Sequence, residues 1–197
     1  MLWPWFCCCP RVAGSSPVRG GSDSESWGTA PQQPPRTTTA QPSAASSPSG
    51  PQPSETFTPE QLEAANTVIE YIRISDEVSS SLDADPQPLM DITTGQSQTI
   101  EEELLAENRR KGQVQTGTTV VHITGASEPV EFDGVRSVDV QMCTDVGKVD
   151  VIDSATGKSV VPVDRPQYLQ WNVNVVKTEA GWKFGDATNE NALRCPA

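Results

Sequence analysis

The chain predicts an α+β domain, with three helices packed on a bent antiparallel sheet of four to five strands. Two patterns in the chain carry that expectation. Helix signals dominate from residue 58 to about 111, beginning with an apolar face at helical spacing to about Ser75, and the period changes to two from residue 113. Helices first and strands afterwards is the order that segregates helices to one face of a sheet. A third observation sets where the domain begins. Composition breaks near residue 56, where a Pro-, Ser- and Thr-rich leader ends.

Thr58-Pro59-Glu60-Gln61 reads as a helix start. Thr58 can cap, Pro59 suits the first helical position, and Gln61 completes a T-x-x-Q capping box. Leu62, Ala65, Val68, Ile69 and Ile72 then form one expected apolar face, to about Ser75. Asp76 to Asp85 reads as a polar loop. Asp85-Pro86 opens a short second helix holding Leu89, Met90 and Ile92, stopped near Gly95. Thr99 to Lys111 reads as the third helix, with Glu101, Glu102 and Glu103 in its first turn and Arg109, Arg110 and Lys111 in its last. That order complements the helix dipole, and Gly112 suits a C-cap.

The strands follow. Thr118 to Thr124 is Val/Thr-rich. Val130 to Cys143 reads as one long strand with a bulge at Gly134. Lys148 to Ile152 is another strand, and Asp153 to Gly157 a turn. From Gln167 to Val176, Leu169, Trp171, Val173 and Val175 face one way, and Gln170, Asn172 and Asn174 the other. Glu179-Ala180-Gly181 is a tight turn before a last strand from Trp182 to Ala187. No internal repeat is present.

The charge divides as the composition does. The net charge of −12 belongs to residues 57–197, which carry 23 acidic and 11 basic groups, whereas residues 1–56 sum to zero. So acidic a domain has no face for nucleic-acid phosphates. No run of about 18 apolar residues reads as a membrane span. Ten of the 17 prolines lie at or before Pro53. A stretch so poor in aliphatic residues cannot offset its ordering entropy, so 1–56 is expected to be a disordered tether. MLWPWFCCC opens the chain without a positive n-region or an uninterrupted apolar core. Two readings stand: Cys7, Cys8 and Cys9 are acylation or metal sites, or the native signal or anchor lay upstream and has been lost from this start.

The element order, the opening amphipathic helix and the closing Trp171-Asn172-Val173-Asn174-Val175-Val176-Lys177 … Gly181-Trp182-Lys183-Phe184-Gly185-Asp186 hairpin resemble the nuclear-transport-factor-2-like superfamily. The likeness covers about residues 57–190. It implies the cone-shaped α+β fold shared with ketosteroid isomerase and polyketide cyclases. With the tether, the chain resembles exported or lipoprotein-type members from high-GC Gram-positive bacteria.

Cys143 and Cys195 are the only cysteines of this region. Either they form a bridge that pins the C-terminal tail and implies an oxidising compartment, or they are two unrelated thiols. His122 is the only histidine, which excludes a multi-histidine zinc site. It is either a pocket acid/base or a plain sheet residue. Enzymes of the resembling superfamily use a buried carboxylate as base, with Tyr or Asp donors. Tyr71, Asp91, Asp139 and Asp186 could face a shared cavity, but no local motif fixes a catalytic role, and Tyr71 lies off the expected helical stripe. Trp171 and Trp182 would pair across the last hairpin as packing or as a ligand platform. No calcium loop, phosphate-binding glycine pattern, cofactor motif or nucleophile elbow is present.

The resulting expectation is an exported, envelope-associated binding or accessory module without catalysis, taking a small apolar ligand or a partner protein. A small lyase, isomerase or cyclase of the ketosteroid-isomerase type is the alternative, a homodimeric scaffold is a third reading, and a cytoplasmic location is the alternative to export.

Overall fold

A capping box opens the first helix. In the computed structural model, which describes residues 57–196, Thr58 Oγ1 accepts from the Gln61 N–H at 3.4 Å and Gln61 Oε1 accepts from the Thr58 N–H at 2.8 Å. The leader expected over 1–56, with Cys7, Cys8 and Cys9, lies outside the described residues. The helices are α1 (Pro59–Ser79), α2 (Gln87–Ile92) and α3 (Gly95–Lys111). They are followed by β1 (Gln113–Thr116), β2 (Val120–Ala126), β3 (Val130–Phe132), β4 (Val135–Asp145), β5 (Asp150–Asp153), β6 (Tyr168–Thr178) and β7 (Gly181–Ala192). The fold class is α+β, three helices against a multi-stranded antiparallel sheet.

α1 runs one turn beyond the expected Ser75. Its buried stripe is Gln61, Ala64, Ala65, Val68, Tyr71, Ile72, Ser75 and Val78, with Ile74. Leu62 and Ile69, expected in the core face, are instead 50% and 44% exposed. The stripe is rotated because Ala64, Ala65 and Gln61, not the larger Leu62, sit beneath the helix. Small residues let α1 approach the sheet closely. α3 begins at Gly95 rather than Thr99, so Gly95 starts a helix where a stop was expected. Glu101 therefore falls in the second turn, not the first, and is buried. Arg109, Arg110 and Lys111 occupy the last turn as expected, and Gly112 caps it at φ 66°.

β2, β4, β6 and β7 form one antiparallel sheet in that order. β3 also pairs with β4, beyond the end of β2, so β2 and β3 are two pieces of one edge. The expected single strand from Val130 to Cys143 is thus a hairpin. Phe132 pairs with Val135 across Asp133 and Gly134, whose φ values are 50° and 76°. Two consecutive positive φ values make a reversal, not a bulge. β1 and β5 pair in a separate two-stranded sheet. β1 was not expected, and β7 extends five residues past Ala187.

The inner face of the sheet carries Val138, Val140 and Met142 of β4 and Leu169, Trp171, Val173 and Val175 of β6. These pack against Val68, Tyr71 and Ile72 of α1, Leu89 of α2 and Leu105 of α3. β7 bulges opposite Asn174, where Val173 pairs with Ala187 and Val175 with Phe184. A Cβ at Gly185 would lie 2.6 Å from the Asn174 carbonyl oxygen, so the bulge requires a glycine there. The same bulge docks the helices: Phe184 O accepts from the Thr94 N–H at 2.9 Å, and Gly185 O accepts from Ser97 Oγ.

Candidate functional site

The expected site residues do not converge. Tyr71 is buried in the core, its ring stacked on Phe184 with centroids 3.7 Å apart. Its hydroxyl donates to Glu101 Oε1. Trp171 is also a core residue, donating from Nε1 to Thr144 Oγ1 at 3.1 Å. It lies opposite Asn189, and Trp182 lies opposite Lys177, so the two indoles are not a cross-strand pair. Trp182 instead donates to Glu63 Oε2 at 2.8 Å beneath the Lys177 ammonium. His122 pairs with Cys143, while its neighbours Val121 and Ile123 pack on the core, so the imidazole sits on the outer face of the sheet. Asp139 shares that face and accepts from Asn174 Nδ2 at 2.8 Å. Asp186 is exposed at the β7 bulge, and Asp91 is exposed on α2. Cys143 and Cys195 are joined in a disulfide across 52 residues. Among the described residues no group of three or more His, Cys, Asp or Glu is placed to hold a metal.

The carboxylate that is deeply buried is one that the sequence pattern placed only in the first turn of the third helix, beside Glu102 and Glu103. Glu101 is 7% exposed. Burial raises its pKa above the ordinary carboxylate value, and the Tyr71 hydroxyl opposes part of that rise. Tyr71 is pushed well above its ordinary value by burial and by the adjacent carboxyl. The two form a polar pair linking α1 to α3. Tyr71 belongs to the buried core cluster together with Leu105 of α3, so the pair reads first as a helix–helix fastener.

An open groove of about 610 Å³ lies elsewhere, between the flank of α1 and the start of β2. Ile69, Ile72, Arg73 and Asp76 line one wall, and Gly117 to Val121 the other. Local chemistry builds both walls. Asp76 accepts from the Thr119 N–H at 2.7 Å, from Thr119 Oγ1 at 3.0 Å and from Gln115 Nε2 at 2.5 Å, tying α1 to the β1–β2 loop. Gly117 has φ 77°, and a Cβ there would sit 2.0 Å from the Lys148 carbonyl oxygen. Only glycine lets the loop pass. Arg73 is held between Glu70 and Glu77 at 2.7 and 2.8 Å. At the other end of β2, Gln61 Nε2 donates to the carbonyls of Ala126 and Ser127 at 3.2 and 3.1 Å. α1 therefore runs antiparallel to β2 and is pinned to both of its ends. The sequence signal for this groove was present but read inversely. Leu62 and Ile69 fall seven residues apart on one helix flank, and of the two Ile69 lines the groove.

No protein-family model matches the chain. None of the curated proteins matches it either. Similar solved structures include the intermembrane space region of the chloroplast protein ARC6, with 17% identity, 67% of this chain and 97% of that chain covered, and a TM-score of 0.52. Another is a ketosteroid isomerase-like protein from Erwinia carotovora atroseptica SCRI1043, with 14% identity, 70% and 100% coverage and a TM-score of 0.44. The likeness to the ARC6 region is one of fold.

Proposed function

We propose that residues 57–196 form a binding module for a partner protein, tethered through 1–56 in an exported setting. One observation carries this reading. The groove beside α1 keeps Ile69 and Val120, on its two walls, at 44% and 43% exposure. Apolar side chains rimmed by polar groups mark contact surfaces. The Cys143–Cys195 disulfide supports export, because such bonds persist in oxidising compartments. No helix among the described residues is long and apolar enough to cross a membrane. The high-GC Gram-positive origin and the lipid or membrane anchor rest on the resemblance of tether plus domain to exported or lipoprotein-type members.

The test places a photoreactive side chain at position 69, and separately at position 172 on the outer sheet face, of the full chain in the producing cell. Protein adducts from position 69 and none from 172 are the expected result. Adducts from neither position, or equally from both, overturn the reading.

The lyase, isomerase or cyclase reading has one observation in its favour, a buried acid of raised pKa beside a phenol. It needs substrate access to Glu101. Native mass spectrometry of the unreduced full chain decides it: a retained small molecule that is lost in Glu101→Gln moves the function to this pair.

A further inference from the structure

We propose that the open edge of β2 receives an extended, cationic segment of the partner chain as an added strand, whose inward side chains rest on Leu62 and Ile69. This rests on the reading of the groove as a partner site and names the partner's form and charge.

The first argument is the edge itself. Among the described residues, β2 is the terminal strand on its side of the sheet and pairs only with β4. An antiparallel edge strand turns the N–H and C=O of alternate residues away from its neighbour. Folded proteins usually blunt such edges with Lys, Pro, inward charges, bulges or very short strands. The other edge of this sheet, β7, follows that rule with Lys183, Asp186, Glu190 and the bulge at Gly185. β3 is three residues long and carries Glu131. The segment Val120-Val121-His122-Ile123 has no Lys, Pro or acidic residue. The irregularity in β2 lies after it, between Ile123 and Gly125. Four residues of edge therefore carry none of these guards, and the first two, Val120 and Val121, line the groove.

The second argument is what lies beside that edge. α1 runs along β2 and is fastened at both ends, by Gln61 to Ala126 and Ser127 and by Asp76 to Thr119. Val121 and Ile123 pack inward. An added strand would continue their layer, and its side chains on that face would meet the α1 flank. That flank presents Leu62 and Ile69, 50% and 44% exposed. Backbone pairing at an edge with pockets for alternate side chains is a recurring mode of peptide recognition.

The third argument is charge, and it selects the occupant. The α1 rim of the groove carries Asp76 and Glu77 against Arg73 alone, in a domain with 23 acidic and 11 basic residues. A second copy of this chain would bring the same negative rim and the same net charge to the edge. The chain's own leader sums to zero charge, so its attraction to the groove is weaker. A cationic segment of another protein complements the rim.

The experiment uses the full chain and synthetic octapeptides, read by isothermal titration. A peptide alternating Val and Lys is expected to bind. N-methylation of alternate peptide nitrogens, which removes the edge-facing donors, should weaken it at least about tenfold. Replacing its Lys by Glu should abolish binding. Ile69→Lys should weaken the Val/Lys peptide at least about tenfold with an unchanged melting temperature, since Ile69 is exposed. Asn172→Lys on the outer face should change nothing. No binding of the Val/Lys peptide at about 1 mM overturns the inference. So does binding that is indifferent to N-methylation or to the sign of the peptide charge. If position 69 still cross-links a protein in the cell, the partner reading stands and only the added strand falls. If cross-linking also fails, both fall.

Discussion

The two faces of the central sheet are built from the same strands and held by different physics. On β4, Val138, Val140 and Met142 point to the helices and are at most 1% exposed. The residues between them, Asp139 and Gln141, point outward and pair with the amides of β6: Asp139 with Asn174 at 2.8 Å, and Gln141 with Asn172 at 3.2 Å. The inner face gains from removing apolar surface from water, at roughly 25 cal/mol per Å². The outer face gains little from its half-solvated hydrogen bonds. It gains most from one covalent link, Cys143–Cys195, which fastens the tail after β7 back to β4. Stability on one side is spread over many contacts, and on the other it is concentrated in a single bond.

That contrast can be broken at adjacent residues. Met142→Ala on the inner face should cost about 2–5 kcal/mol in urea unfolding, because a side chain 1% exposed leaves a cavity in a packed layer. A cost below about 1 kcal/mol would show that the inner layer is loosely packed. Cys195→Ser should cost about 2–4 kcal/mol, and reductant should then have no further effect on the variant. If reductant leaves the unvaried protein unchanged, the outer face does not depend on its bond.

The inner face also contains an exception, the Tyr71–Glu101 pair, which gives a pH signature. Burial raises Glu101 above its ordinary value in the folded state, so the native protein holds a proton that the unfolded chain releases near pH 4.5. This contribution is fully present below about pH 4.5 and is lost as pH rises through the raised folded value. Glu101→Gln, which still accepts from Tyr71, should escape that loss. Urea midpoints measured from pH 4 to 8 should show the variant gaining on the unvaried protein as pH rises. Parallel curves would place Glu101 in contact with water. The smallest effect belongs to the outer face: Gln141→Ala, one residue from Met142, should stay within about 0.5 kcal/mol of the unvaried chain. A larger loss would mean that the amide ladder is a structural term in its own right.

Local chemistry was legible where the deciding groups are neighbours in sequence. The Thr58–Gln61 capping box, the Gly112 cap, the 153–157 turn and the alternation of β6 all appear as read, because each depends on residues within a few positions. Errors arose where distant residues decide. Asp133-Gly134 is compatible with a bulge or a reversal, and the choice is made by whether Phe132 meets Val135. α3 starts at Gly95 because Phe184 and Gly185 accept hydrogen bonds from Thr94 and Ser97, a partner 90 residues away that no local cap announces. The same docking leaves Glu101 in the second turn of α3, where it is buried.

The sequence by itself determined the α+β class, the start of the first helix and the inward residues of the long strands. Each of these follows from hydrophobic period and capping residues, which act locally. Tertiary structure decided which flank of α1 is buried, which edge of the sheet is left open, and which carboxylate loses its water. All three depend on how close two elements pack. Ala64 and Ala65 let α1 settle on the sheet, so Leu62 and Ile69 are left facing solvent beside β2, while Tyr71 is carried inward to meet Glu101.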